Sequence, residues 1–267
     1  MKLHPVKSAR DIRLDDDDAR VPGAGRHSAK AVERATAKQV ERIATLQRVF
    51  YADGRHALLI VLQGRDASGK DGTIRKVFTA VNPQGCTVSS FGVPTPLEAR
   101  HDFLWRVHAQ VPPRGMIGIF NRSHYEDILV PRVHGQLDKD GMLERCEQVN
   151  DFERMLGENG VTILKFMLHV SRDEQRRRLQ ERIEDPEKNW KFRAGDLDDR
   201  ARWDEFTRAY RAVLKHTSTK HAPWRIVPAD DKPLRDRMVA ETIADALDGL
   251  DLRYPKADTT VKDLTVE

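Results

Sequence analysis

Two glycines and a lysine in GxxxxGK spacing, Gly64-Arg65-Asp66-Ala67-Ser68-Gly69-Lys70, form the arrangement in this chain best suited to chemistry. That chemistry is the gripping of a phosphate. Glycines let the backbone curl so that successive N–H groups point at one anion, a helix starting at Lys70 adds positive potential, and the lysine supplies a point charge. Gly64, Arg65, Ala67, Ser68, Gly69 and Lys70 are therefore the expected phosphate contacts. Asp71 stands where such loops usually carry the Ser or Thr that ligates Mg²⁺. The metal then needs another ligand, and Asp66 is the nearest carboxylate, with Thr73 a weaker candidate.

A second polar cluster, Asn121-Arg122-Ser123-His124-Tyr125-Glu126-Asp127, follows an apolar run. Arg122 has the planar fork and permanent charge to clamp phosphoryl oxygens. Asn121 occupies a place where a carboxylate commonly holds the metal through water, and Glu126 and Asp127, about one helical turn later, can supply the missing charge. His124 reads as a packed histidine, because a nucleotide phosphate acceptor is already anionic and needs no general base. Further along, Arg172, Arg176, Arg177, Arg178, Arg182, Lys188, Lys191 and Arg193 crowd residues 171–201. On a helix, Arg178 and Arg182 share a face. The interleaved Asp173, Glu174, Glu181, Glu184 and Glu187 equally suit an ordinary salt-bridged helix.

These residues need a frame. Apolar runs at 56–62, 87–91, 116–120, 161–170 and 224–227 read as strands, and helical patterns occupy 70–81, 141–156, 202–216 and 234–250. An amphipathic helix opens at Ser28, carries Val32, Ala35, Gln39, Ile43, Leu46 and Phe50 on one face, and stops near Asp53-Gly54. Strands separated by helix-length connections predict an α/β fold with a parallel sheet covered on both faces. In such a sheet the strand C-termini form the ligand crevice, which brings the cluster after residue 120 toward the phosphate loop. Phe91 and Pro94, just past another strand end, are candidates to border a nucleotide base. Residues 1–27, with the acidic run Asp15 to Asp18, read as a flexible, solvated arm.

The motifs GRDASGKDGTIRKV from Gly64, NPQG from Asn82, PTPLE from Pro94, FLWR from Phe103, FNRSHYED from Phe120 and DPEKNWKF from Asp185 resemble, in this order, those of the polyphosphate kinase 2 family. The resemblance covers roughly residues 30–250. It implies a P-loop, nucleoside-monophosphate-kinase-like three-layer sandwich over residues 28–267, with a helical lid at about 171–201. It also implies a bacterial cytoplasmic enzyme, working as a homo-oligomer (dimer or tetramer), that moves phosphoryl groups reversibly between inorganic polyphosphate and AMP, ADP or ATP with Mg²⁺. Carried over by motif, Asp66 and Lys70 act on metal and phosphate, and Arg122 binds phosphate. Arg178, Arg182, Lys188 and Lys191 belong to the lid that lines the polyphosphate channel. Many relatives read FDRSWYNR where this chain reads FNRSHYED. Asn121 and Glu126 therefore bear on nucleotide choice, Glu126 on the metal as well, and this variant resembles the subgroup using both AMP and ADP.

Composition narrows the alternatives. At 267 residues with 39% hydrophobic content, the chain supports one sizeable α/β domain and not a second full core. A net charge of +4 is too modest to signal a nucleic-acid partner, so a nucleotide-gated RNA-binding protein ranks behind an enzyme. An ATP-dependent nucleotide kinase is the other alternative, because the loop reads phosphates and not the base. Cys86 and Cys146 lack metal or disulfide spacing. No apolar run approaches the roughly 20 residues of a membrane span, and the N-terminus lacks a secretory apolar core.

Overall fold

A computed structural model of the chain describes residues 2–193 and 195–257; the rest of the 28–267 domain, residues 258–267, lies outside the described residues. In chain order the elements are α1 (Ala29–Asp53), β1 (Ala57–Gln63), α2 (Lys70–Val77), β2 (Cys86–Ser90), α3 (Trp105–His108), β3 (Ile117–Asn121), α4 (Glu126–Val133) and α5 (Lys139–Glu158). They continue as β4 (Val161–His169), α6 (Arg172–Glu184), α7 (Gly195–Ala201), α8 (Trp203–Thr217), β5 (Trp224–Pro228) and α9 (Lys232–Asp248).

The strands form one parallel sheet in the order β2-β3-β1-β4-β5. β1 is central, and all seven of its residues are buried. Alternation along the strand serves two cores at once. Leu59 and Val61 face a core shared with Tyr125, Val149, Phe152, Tyr210 and Trp224, whereas Leu58, Ile60 and Leu62 face one shared with Ile43, Phe50, Val239 and Ile243. α1 and α9 thus cover one face and α4, α5 and α8 the other, giving the three layers expected. Each fully buried Leu or Ile contributes about 1.5–3 kcal/mol. Because β1 pairs with β3 on one side and β4 on the other, the chain reverses its winding direction beside the C-terminal end of β1, which opens a crevice there.

Local chemistry sets the ends. Gly54, at φ +62°, closes α1 as the sequence predicts, with its N–H on the carbonyl of Phe50. α2 stops at Val77, short of the 81 expected, and the chain reaches Asn82-Pro83, where proline disfavours helix in the residue before it. α5 starts earlier than expected because the Asp138 side chain caps it by accepting from Gly141 N–H.

Residues 2–27 do not form the solvated arm that their composition suggests. Val6, Leu14, Ala19 and Val21 are buried. Val6 N–H donates to Trp224 O at 2.8 Å, and Asp230 N–H donates to Ala19 O at 3.1 Å, so the segment runs along the β5 side of the sheet. His169 Nε2 meets Asp15 O at 2.8 Å, and Arg211 pairs with the Asp15 carboxylate at 2.6 Å. Apolar anchors too sparse to show a period are enough here, because the rest of the molecule supplies their partners. Among the described residues, no helix is long and apolar enough to cross a membrane.

Candidate active site

β1 delivers its C-terminal end straight into the 64–70 loop, and the loop runs into α2 at Lys70. Gly64 (φ +151°) and Gly69 (φ +103°) adopt backbone conformations that L side chains rarely take, as does Ala67 (φ +60°). A Cβ on Gly64 would lie 2.6 Å from the carbonyl oxygen of Leu168, which the β4 ladder holds in place. Overpacking of about 1–3 kcal/mol adds to backbone strain of similar size. Gly64→Ala is therefore expected to lower stability by roughly 2–6 kcal/mol, read as a fall in the urea midpoint.

The loop carbonyls are all occupied. Lys70 Nζ donates to Gly64 O at 2.6 Å and Arg65 O at 3.2 Å, and Gln175 Nε2 donates to Asp66 O at 3.1 Å. Arg178 Nη1 donates to Ala67 O and Ser68 O at 3.0 and 3.2 Å, and Arg235 Nη1 adds a contact to Ser68 O at 3.3 Å. With each carbonyl from Gly64 to Ser68 tied to a side chain, the repulsion these oxygens offer an anion is muted, which favours the opposite side of the ribbon for phosphate.

Five of the expected phosphate and polyphosphate contacts prove to have other partners. Arg178 is buried, and its guanidinium also donates to Ala229 O, Asp230 O and the Glu174 carboxylate at 2.7, 2.9 and 2.6 Å. It braces the loop from behind instead of lining a channel. The Arg65 guanidinium lies 3.8 Å from the centre of the Trp203 ring and donates to Trp203 O, so only its backbone remains for the anion. Burial pushes its pKa down to about 10. Thr73, the weaker metal candidate, bonds Asp236 at 2.9 Å in the interior. Arg182, Lys188 and Lys191, expected in the lid, pair with Asp196 (3.3 Å), Asp185 and Asp71 (3.2 Å).

At the end of β3 the second cluster meets the first. Arg122, at φ +62°, places Nη2 2.6 Å from Asp66 Oδ1. Glu126, partly buried at the start of α4, accepts from Gln63 Nε2 at 3.0 Å. Burial pushes the Glu126 carboxyl up, against the pull of Arg122 and Lys70, and burial pushes the Lys70 ammonium down, with Arg122 adding to it and Asp66 and Glu126 opposing. Asp66, Lys70, Arg122 and Glu126 thus form one electrostatic unit. Asn121 Nδ2 donates to Asp71 Oδ1 at 2.8 Å, and burial, which raises the Asp71 pKa, is outweighed by Asn121 and Lys191, which leave it low. Asp71 is consequently tied to the β3 end and to Lys191. His124 is fully buried against Glu153, as its packed reading requires.

One residue past Glu126, Asp127 lines a cleft of about 510 Å³ together with Pro94, Phe103, Arg106, Arg145 and Gln148, among others. Of the two residues expected to border a base, Pro94 lines this cleft. Phe91 does not, being buried edge-on against Phe120 at 4.9 Å. Arg106, 2.9 Å from Asp127 and bonded to Gly92 O, is a cleft residue that the FLWR motif marks but residue chemistry alone does not. Its volume suits a nucleotide-sized ligand.

A parallel sheet wound in this order, with a phosphate loop after its central strand and an arginine delivered by the next, defines a P-loop kinase-like phosphotransferase. The polyphosphate kinase 2 family model matches residues 26–255, and the chain belongs to that family. It is 48% identical over 255 residues to the AMP/ADP-polyphosphate phosphotransferase of Meiothermus ruber, covering 96% of this chain and 94% of that one. It is 45% identical over 230 residues to the ADP-polyphosphate phosphotransferase of Rhodopseudomonas palustris, covering 82% and 80%. Its fold matches the crystal structure of polyphosphate kinase 2 from Arthrobacter aurescens with a TM-score of 0.85 at 39% identity, over 98% of this chain and 97% of that one.

Proposed function

We propose that this enzyme transfers phosphoryl groups reversibly between inorganic polyphosphate and nucleotides, taking both AMP and ADP as acceptors. The observation that carries the reading is the meeting of the 64–70 loop and Lys70 with Arg122, which reaches Asp66 at 2.6 Å, while a nucleotide-sized cleft opens at Asp127, the residue after Glu126. The loop and Lys70 hold the polyphosphate end. An acceptor in the cleft directs its terminal phosphate toward Arg122, whose charge steadies the transferring group.

One phosphoanhydride is exchanged for another, so alignment and charge stabilisation carry the catalysis and the reaction runs both ways. The acceptor phosphate is already ionised at neutral pH. No proton need be removed, which agrees with the burial of His124 away from the crevice.

Asp66 and Glu126 would hold Mg²⁺. Both offer hard oxygens at the crevice, and Mg²⁺ takes one or two carboxylates with water and substrate phosphates, so a cage of three or more protein ligands, absent among the described residues, is not required. When bound, the ion neutralises charge on the phosphate oxygens. Cytoplasmic location and homo-oligomeric assembly complete the reading by family resemblance.

Incubation of AMP, ADP, GMP or GDP in turn with Mg²⁺ and polyphosphate but no added ATP, and in parallel with Mg²⁺ and ATP but no polyphosphate, tests it by chromatography of the products. ATP from ADP, and ADP followed by ATP from AMP, are the expected results. Transfer from ATP alone refutes the polyphosphate donor, and use of ADP alone refutes the dual acceptor.

A further inference from the structure

Arg122 sits in a left-handed backbone conformation, which a non-glycine residue keeps only when its surroundings impose it. Hydrogen bonds hold the backbone of the turn, with Arg122 N–H on Leu62 O at 3.0 Å, Tyr125 N–H on Ser123 Oγ at 3.3 Å, Glu126 N–H on Ser123 O at 3.0 Å and Asp127 N–H on His124 O at 3.2 Å, but they do not set where its side chains end. The next side chains, His124 and Tyr125, point inward and are fully buried. Both end on one oxygen, with Tyr125 Oη 2.8 Å and His124 Nε2 3.3 Å from Glu153 Oε1. The other Glu153 oxygen takes Lys165 Nζ at 2.6 Å, and Lys165 also donates to Tyr125 Oη and Thr217 O, each at 2.8 Å.

Glu153 on α5 and Lys165 on β4 are fully buried and touch nothing in the crevice. Stability alone does not require them, since a well-packed apolar pair often serves as well. What an ion pair adds is direction. Hydrogen bonds from two elements, α5 and β4, fix the Tyr125 ring along its axis and hold the hydroxyl at one point, which apolar packing alone does not specify.

We propose that Glu153 and Lys165 are positioning residues for phosphoryl transfer, holding the 122–126 turn through Tyr125 and His124 so that Arg122 and Glu126 meet the phosphate loop. The inference rests on the phosphotransfer reading of Arg122. It gives the buried network a part in the reaction that burial alone would not.

Tyr125→Phe removes two of the network's bonds at nearly constant volume, and Glu153→Gln with Lys165→Met removes both charges together. With polyphosphate and ADP, each is expected to lower kcat about tenfold in the folded protein while the KM for polyphosphate stays within about twofold. The decisive arm is a cycle with Arg122→Lys. If the network acts through Arg122, Tyr125→Phe should cost less than about twofold in that background. Losses that multiply, near wild-type kcat in both folded variants, or unfolding of both overturn the proposal, the last because the network then only maintains the fold. Failure of the wild type with polyphosphate sinks the donor assignment instead, and the same cycle is then read with ATP as donor, on the same criteria.

Discussion

Replacing Lys70 with alanine is expected to abolish measurable transfer, lowering kcat by about a thousandfold or more, or roughly 4 kcal/mol of barrier. Lys70 is a buried ammonium whose direct bonds, among the described residues, run to carbonyls of its own loop. An arriving phosphate therefore meets a charge already desolvated and aimed, with little left to reorganise during transfer. The fold should survive, because the same loop is braced independently by Gln175, Arg178 and Arg235. Circular dichroism checks the fold, and product formation from ADP and polyphosphate checks the loss. A folded variant with near wild-type turnover would remove Lys70 from the mechanism.

Asp66→Asn is the second large effect expected, a fall in kcat/KM of about 100- to 1,000-fold with a marked rise in the Mg²⁺ concentration giving half-maximal rate. The side chain is nearly isosteric, so the loop need not move. Two things are lost: a hard anionic oxygen for the metal, and the partner that holds Arg122 Nη2 at 2.6 Å. A magnesium titration separates them. An unchanged half-saturation with a lower maximal rate assigns Asp66 to Arg122 alone, and a shifted one assigns it to the metal.

The parts of this molecule that the sequence reveals are those built from near neighbours. Strand β1, the 64–70 loop and helix α2 follow one another without interruption, so spacing and apolar pattern suffice. The motif order carries the rest of the frame. What stayed hidden depends on distant partners. Nothing near Arg65 tells that its side chain will stack on Trp203, and nothing near Arg178 tells that Ala67 and Ser68 carbonyls wait for it. A basic residue announces charge but not direction. Arg235 and Gln175 carried no signal at all, since a brace for a loop more than a hundred residues away looks like any polar side chain on a helix. The buried Glu153 and Lys165 were likewise indistinguishable from exposed charges until α5 and β4 were packed together.

The sealing of the β5 flank by residues near the start of the chain has a kinetic meaning. Ser218 Oγ donates to Val6 O across 212 residues of sequence, and Val6 N–H bonds the next strand at Trp224. Such a loop is closed only after nearly the whole domain exists, at an entropic cost that local contacts cannot offset early. During synthesis the early segment must wait unpaired while the sheet grows, and the seam it forms is among the last to close. In hydrogen exchange that seam should be among the first to open.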